Sequence, residues 1–485
     1  MSNWYYKTAT ELARAIRERQ VSCVDLLDVY LERVHQHNKE LNAIIVLDAD
    51  RARVRAVAAD AAVARGDDLG PLHGVPMTVK ESYDVAGLPT TWGVPALRNN
   101  IANANASAVD ALLKAGANIF GKTNVPLYLS DWQSFNGIYG TTNNPWDLTR
   151  TSGGSSGGAA ASLAVGMTAL EIGSDIGSSI RCPAHFCGIY GHKPSYGVVS
   201  QRGHWIPKRH VDMDMSVCGP LARSAQDLAL ALDVLAGPKP MDKVAWTLNL
   251  PRPRKSALED FRIAVKLDDP NFAVDHEVTD QLQMAVDALA KAGAKINDKE
   301  QPKFDTAHAY ELYTRLLRGA SGAMLDDEAY AQARISAAQL PTNDQSASAN
   351  QLRGVVQDHH SWFKAHEARE AVRTAWAEFF QDYDVLLCPV ASTVAFPHDH
   401  RERPERKLMV NGRAEEFNLH VPGFWAAIAT LPYLPATSAP VGRTPSGLPV
   451  GIQIVGPYLE DRTTIEFARL LAQITGGFVP PPGYL

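Results

Sequence analysis

The sequence predicts an α/β architecture in layers around a largely parallel sheet, and three observations carry that prediction. Short apolar runs alternate with helical patterns of 10 to 15 residues, the arrangement of strands joined by crossover helices. The chain of 485 residues is 45% hydrophobic and 21% charged, enough to bury a large core. No internal repeat or low-complexity segment breaks the pattern.

The elements follow in order. In "TATELARAIRERQ", Thr8 and Glu11 stand at capping-box spacing, with Leu12, Ala15 and Ile16 at helical spacing behind them. A second helix is expected from Ser22, with Leu26, Leu27, Tyr30 and Val34 on one face. Together they read as a packed N-terminal cap. A strand "AIIVL" (43–47), an alanine-rich helix (48–65) and a turn "GDDLGP" lead into the apolar strand "GVPMTVK", which ends on Lys80. A helix near 107–115, a strand at 117–121, a helix at 157–165, a strand at 167–173 and a helix at 224–235 continue the alternation. The stretch "GPKPMDKVAWTLNLPRPRKSALED" reads as a long surface connection, and "FRIAVK" (261–266) begins another strand and helix unit. Residues 303–380 read as mainly helical, with "PTNDQSASANQ" as a mobile loop. "YDVLLCP" and "GLPVGIQIVG" return to strands, and a helix from Asp461 to about Thr475 closes the chain.

A net charge of −6 gives no basic footprint, so neither nucleic acid nor an anionic membrane surface is an expected partner. The N-terminus lacks the pattern of a secretory signal and no run of 18 apolar residues occurs, so the expected location is cytoplasmic. Cys23, Cys182, Cys187, Cys218 and Cys388 are scattered without C-x-x-C spacing and read as free buried thiols. His35/His37 at i, i+2 point to different helix faces, and His398/His400 lie in a charged loop. Solvated side chains account for both pairs, and no metal is expected.

The serine-rich stretch "TSGGSSGGAAASLAVG" (151–166) raises the question of a nucleophile. Gly153-x-Ser155-x-Gly157 matches the nucleophile elbow of α/β-hydrolase esterases, but the preceding "GTTNNPWDLTRT" is a polar loop rather than a strand. That reading would also need a downstream base, for which His359, His360, His398 and His400 are nominal. No phosphate-binding loop pattern is present, and the S-x-x-K at Ser361–Lys364 sits in an amphipathic helix without companion motifs. A stronger constellation joins a second turn, "EIGSDIGSSIRCPAHFCG" (171–188), with a helix beginning after Pro183. Its small residues allow successive backbone N–H groups to face one point, as an oxyanion hole requires. Lys80, at the end of a buried strand, is placed to be desolvated and neutral.

"GVPMTVKE", "TSGGSSGGAAA", "GSDIGSSIRCPAHFCGIYGHKPSYG" and "GLPVGIQIVGP" together resemble the amidase signature family, nearly end to end and most weakly from about 250 to 415. The resemblance implies hydrolysis of carboxamides through a Ser-cisSer-Lys triad, with a serine acyl-enzyme and no cofactor. It implies a three-layer α/β/α fold with a large, twisted, mostly parallel mixed sheet. The whole of 1–485 would be one amidase domain. Within it, 1–65 would be the helical cap, 66–235 the catalytic core, 236–430 a variable and largely helical pocket region, and 431–485 the strands and helix that return to the core.

Matched position by position, the family pattern makes Ser179 the acylated nucleophile, Ser155 the residue with a cis peptide bond, and Lys80 the base. The backbone N–H groups of Ile176, Gly177, Ser178 and Ser179 would hold the oxyanion, and Leu129 would contact substrate. Asp175 and Arg181 are expected to pair and brace the loop, and Ser156 to add a hydrogen bond to the relay. Two departures stand out: Ser178 replaces a usual glycine before the nucleophile, and "GHKPSYG" replaces a pattern with leucine before the lysine.

Tyr128, Trp132, Phe135, Tyr139, Trp205, Phe424 and Trp425 favour a small-molecule aryl or aliphatic amide, with esters and carbamates open to the same acyl-enzyme. The resemblance extends to the glutamine-hydrolysing component of glutamyl-tRNA amidotransferase, which is the alternative. Relatives are often dimers, so a homodimer is expected.

Overall fold

The computed structural model describes residues 4–207, 209–344 and 346–485. It has the α/β layered fold, with helices packed around a mixed eight-stranded sheet. In spatial order the strands are Lys295–Asn297, Arg262–Val265, Val385–Pro389, Pro449–Val455, Ala436–Arg443, Tyr190–Lys193, Val217–Ala222 and Glu171–Asp175. The first two junctions are parallel and the next five antiparallel, so the expectation of a mostly parallel sheet is corrected.

The reason lies in three strands that the apolar pattern does not reveal. Tyr190–Lys193, Val217–Ala222 and Ala436–Arg443 carry Gly, Pro, His and Ser where a buried parallel strand would carry Val and Ile. The last is joined to Pro449–Val455 through a short turn, a connection open to antiparallel neighbours alone. The strand expected at 167–173 forms instead at Glu171–Asp175, and the helix expected after Pro183 begins at Arg181.

A second sheet, Ile44–Leu47, Asn118–Thr123 and Pro76–Lys80, lies beside the first. The amide of Thr78 donates to Thr168 Oγ1 (2.9 Å) and that of Ala169 to Pro76 O (3.3 Å), so the lysine strand runs against the edge ending at Asp175. The carboxyl end of each strand thus delivers a polar residue to one place.

Thr8 caps the helix Ala9–Arg17 in a closed capping box, and Ser22 caps Cys23–Leu41. The pair is locked to the body by Asp227, which accepts the amides of Ala9 and Thr10, and by Arg33, which donates to Val165 O and Tyr484 O. One continuous core cluster draws side chains from Ala9 to Tyr484. The region 303–380 forms the helices Thr306–Gly322, Asp327–Ala338, Ala347–Val355 and His359–Asp382. Part of the "PTNDQSASANQ" segment is helical, because Ser346 caps Ala347–Val355 by accepting the amide of Ala349. Among the described residues, no helix is long and apolar enough to cross a membrane.

Candidate active site

Lys80 ends a strand whose five residues are all buried, and its own side chain is 0% exposed. Its Nζ donates to Ser155 Oγ at 2.7 Å and to Ser174 Oγ at 2.9 Å. Burial lowers its pKa from 10.5 to about 7, against the opposing pull of Asp175, Cys218 and Glu171. Burial thus favours the neutral amine that a base requires.

Ser155 sits in the turn ahead of the helix Gly157–Ala164, and the Gly154–Ser155 peptide bond is cis. Two glycines make this turn possible. Gly153 has φ +87°, and a Cβ on Gly154 would lie 2.2 Å from the carbonyl oxygen of Asp131. Ser179 lies in the turn between the strand Glu171–Asp175 and the helix Arg181–Cys187. The amide of Ser156 donates to Ser179 O at 3.2 Å and ties the two turns together. Among the described residues no hydrogen bond joins the two hydroxyls, and both open into the same cavity.

The loop before Ser179 is held by Asp175. Its carboxylate accepts the amides of Ser178 (2.9 Å), Ile180 (3.0 Å) and Arg181 (3.3 Å), and the Arg181 guanidinium at 3.0 and 2.8 Å. Both side chains are wholly buried. Burial alone would raise the Asp175 pKa, but the Arg181 charge and these bonds outweigh it and hold the group below the ordinary carboxylate range. Arg181 donates further to Gln453 Oε1, Thr430 Oγ1 and Ala426 O, which fastens the loop to the C-terminal sheet.

The expected oxyanion donors need one correction. The Ser178 amide is spent on Asp175, whereas those of Ile176, Gly177 and Ser179 have no acceptor among the described residues. The carbonyls of Ile176 and Gly177 accept from Tyr313 OH (3.0 Å) and Trp132 Nε1 (2.7 Å), which ties the loop to its neighbours. Ser178 itself has φ +68°, the left-handed conformation that accounts for glycine being usual there, and its buried Oγ has no hydrogen-bond partner among the described residues. Ser156 Oγ is likewise buried and unpartnered, so its link to the site runs through its amide and not through the expected side-chain bond.

A cavity of about 1090 Å³ opens over Ser155, Ser174, Ser179, Ile176 and Gly177. Leu129, at φ +58°, lines it, as do Tyr128, Trp132 and Trp205 of the aromatics picked out by sequence. Phe135, Tyr139, Phe424 and Trp425 do not: Phe424 stacks on Phe272 in the core, and Phe135 stacks on His400. Sequence reasoning missed Ser174, Trp92 and His204. Ser174 would have been found from strand alternation, which puts it on the face opposite to Asp175. His204 bonds Ser82 Oγ at 3.0 Å, and burial, reinforced by Lys80, drives its pKa to about 3, so it stays neutral. None of His359, His360, His398 and His400 lines the cavity, so the bases that the elbow reading named are not beside Ser155. Among the described residues no group of three or more His, Cys, Asp or Glu is placed to hold a metal ion.

The amidase family profile matches residues 25–465. An indoleacetamide hydrolase of Bradyrhizobium diazoefficiens is 33% identical over 94% of this chain and 84% of its own. The A component of the glutamyl-tRNA(Gln) amidotransferase of Anaeromyxobacter dehalogenans is 31% identical over 97% of each. A solved amidase superposes with a TM-score of 0.79 at 27% identity, over 96% of this chain and 99% of that one. A solved complex bearing on the origins of an s-triazine catabolic enzyme gives 0.81 at 26% identity, over 98% and 100%. A profile that spans nearly the whole chain, with relatives above 30% identity end to end, places this protein in the amidase signature family of amide-hydrolysing enzymes.

Proposed function

We propose that the protein cleaves the C–N bond of an aryl or aliphatic carboxamide through an acyl-enzyme on Ser179. The observation that carries this reading is the buried contact of 2.7 Å between Lys80 Nζ and Ser155 Oγ, in a cavity shared with Ser179.

A serine hydroxyl attacks a carbonyl only as its proton departs, and an amine leaves only as it gains one. Lys80, with a pKa of about 7, supplies a neutral amine at neutral pH. Ser155 passes its proton to Nζ and takes the proton of Ser179 as Ser179 Oγ bonds to the carbonyl carbon. The amides of Ile176, Gly177 and Ser179 receive the developing oxyanion. The Lys80 ammonium then returns its proton through Ser155 to the leaving nitrogen, and the C–N bond breaks. Water, deprotonated along the same path, releases the acid and restores Ser179. The missing bond between the two hydroxyls is the contact that a bound carbonyl would draw closed, since such bonds commonly tighten only in the complex.

Trp92, Trp132, Trp205 and Tyr128 in the wall support a substrate with an aryl or other bulky apolar portion. The end-to-end likeness to the amidotransferase component favours a second reading, hydrolysis of glutamine. The purified chain assayed on p-nitroanilides, indole-3-acetamide and glutamine separates the two, and turnover of glutamine alone would overturn the first. A serine-directed fluorophosphonate is expected to label wild-type protein at Ser179, with labelling lost in Ser179→Ala. Labelling at another residue would end the assignment. The homodimer is tested by the mass of the purified protein in light scattering.

A further inference from the structure

Part of the cavity wall carries charge in place of aromatic rings. The helix Thr306–Gly322 presents Leu317, Arg318 and Ser321 to the cavity, and the segment after His400 presents Arg403. Among the described residues the guanidinium of Arg318 has no hydrogen-bond or ion-pair partner, and its Nε is fully enclosed. Arg318 as a whole is partly buried and lines the cavity, so its unpaired guanidinium is open to a bound anion. Arg403 donates to Asn418 Oδ1, Ser130 O and Val421 O, all uncharged acceptors. Of the two carboxylates that line the cavity, Asp131 is paired with Arg406, and the exposed Asp326 accepts the amide of Ala329. Arg209, Arg318 and Arg403 line the cavity, and none of them is ion-paired with either carboxylate among the described residues.

The position relative to the reacting atoms is fixed by the same helix. Tyr313 OH holds Ile176 O at 3.0 Å, and Tyr310 OH holds Pro422 O at 3.1 Å. Arg318 follows Tyr313 by five residues on the same helix and lines the cavity that Ser179 also lines.

Resting on the acyl-enzyme reading above, we infer that the substrate is a net-anionic amide, a carboxamide that also carries a carboxylate, which Arg318 binds with Arg403 as the second cation. Guanidinium and carboxylate match in shape and make paired, charge-assisted bonds. A ligand carboxylate would give the Arg318 guanidinium the partner it lacks among the described residues.

The test uses matched p-nitroanilides on the intact protein: the mono-anilides of succinate and glutarate against the neutral butyryl and valeryl anilides. The anionic member is expected to show a kcat/KM roughly 10- to 100-fold higher, and Arg318→Met to collapse that ratio, with Arg318→Lys restoring part of it. Equal ratios in wild type and Arg318→Met, in variants whose melting matches wild type, overturn the inference. Glutaramate and glutamine, compared as free amides, test the net charge. A tenfold preference for zwitterionic glutamine would overturn it. A measurement that needs no turnover keeps this separate from the acyl-enzyme reading: binding of glutarate to Ser179→Ala by calorimetry. Binding that is lost in Ser179→Ala/Arg318→Met supports the inference even where every anilide is inert. No glutarate binding, together with no anionic preference, removes it.

Discussion

Replacing Lys80 with methionine isolates the group on which the chemistry depends. Lys80 is fully buried and its pKa falls from 10.5 to about 7 on folding. Between those two values the unfolded chain binds one more proton than the folded protein, so folding stability rises with pH, by about 1.4 kcal/mol per unit. The contribution is complete above the unfolded pKa and is lost as pH falls toward 7. Lys193 and Lys122, lowered to about 7 and about 8 by burial, act with the same sign, but they are present in both proteins and cancel in the difference. Glu171, raised to about 8 by burial, acts with the opposite sign below that value, so the useful window lies above it. Urea unfolding of wild type and Lys80→Met at pH 8 and pH 9.5, followed by tryptophan fluorescence, should show the gap between them change by about 2 kcal/mol. Wild type gains over the variant at the higher pH. The lost bonds to Ser155 and Ser174 shift that gap by a constant and leave its slope alone. A gap independent of pH would mean that the folded protein keeps Lys80 charged, and the proton relay would fail with it.

Three further outcomes follow from the same geometry. Ser174→Ala removes an acceptor that favours the Lys80 ammonium, so the pH midpoint of kcat/KM should move below about 7, and an unmoved midpoint would reduce Ser174 to a structural role. Arg181→Met strands Asp175 as a buried, unpaired carboxylate, at a cost of about 3–5 kcal/mol near neutral pH. That deficit should shrink on acidification as Asp175 takes up a proton, and urea midpoints at pH 5 and pH 8 would detect a deficit that does not. Ser178→Gly relieves a left-handed residue and removes an unpartnered buried hydroxyl, so unfolding should cost about 1 kcal/mol more. A destabilised Ser178→Gly protein would show that the hydroxyl is held by something the loop needs.

What could be read from sequence divides along a physical line. Lys80, Ser155, Ser179, Asp175 and Arg181 stand in short segments whose composition is set by local backbone demands. Those demands are glycines at a crowded turn, a charge ending an apolar strand, and an acid and a base six residues apart. The antiparallel strands escaped because their residues satisfy neighbours rather than any local rule: Gly191 is packed under Ile180 and Ala184, and Gly219 lies against His192 O and Pro194. The same argument applies to the hydroxyls. Ser156 and Ser178 stand in as suggestive a motif as Ser155, yet their Oγ atoms have no hydrogen-bond partner among the described residues, whereas Ser174, unremarkable in "EIGSD", meets Lys80. Spacing reports which turn a serine belongs to. Which partners its hydroxyl and amide meet depends on the rotamer and the surrounding backbone, and at Ser178, where φ is +68°, the amide bonds Asp175 and is withdrawn from the expected set of oxyanion donors. The charged wall was the least legible part of all. Arg318 and Arg403 belong to segments 85 residues apart in a stretch without motif, and only the folding of the helix Thr306–Gly322 against the nucleophile loop makes their charge a property of the site.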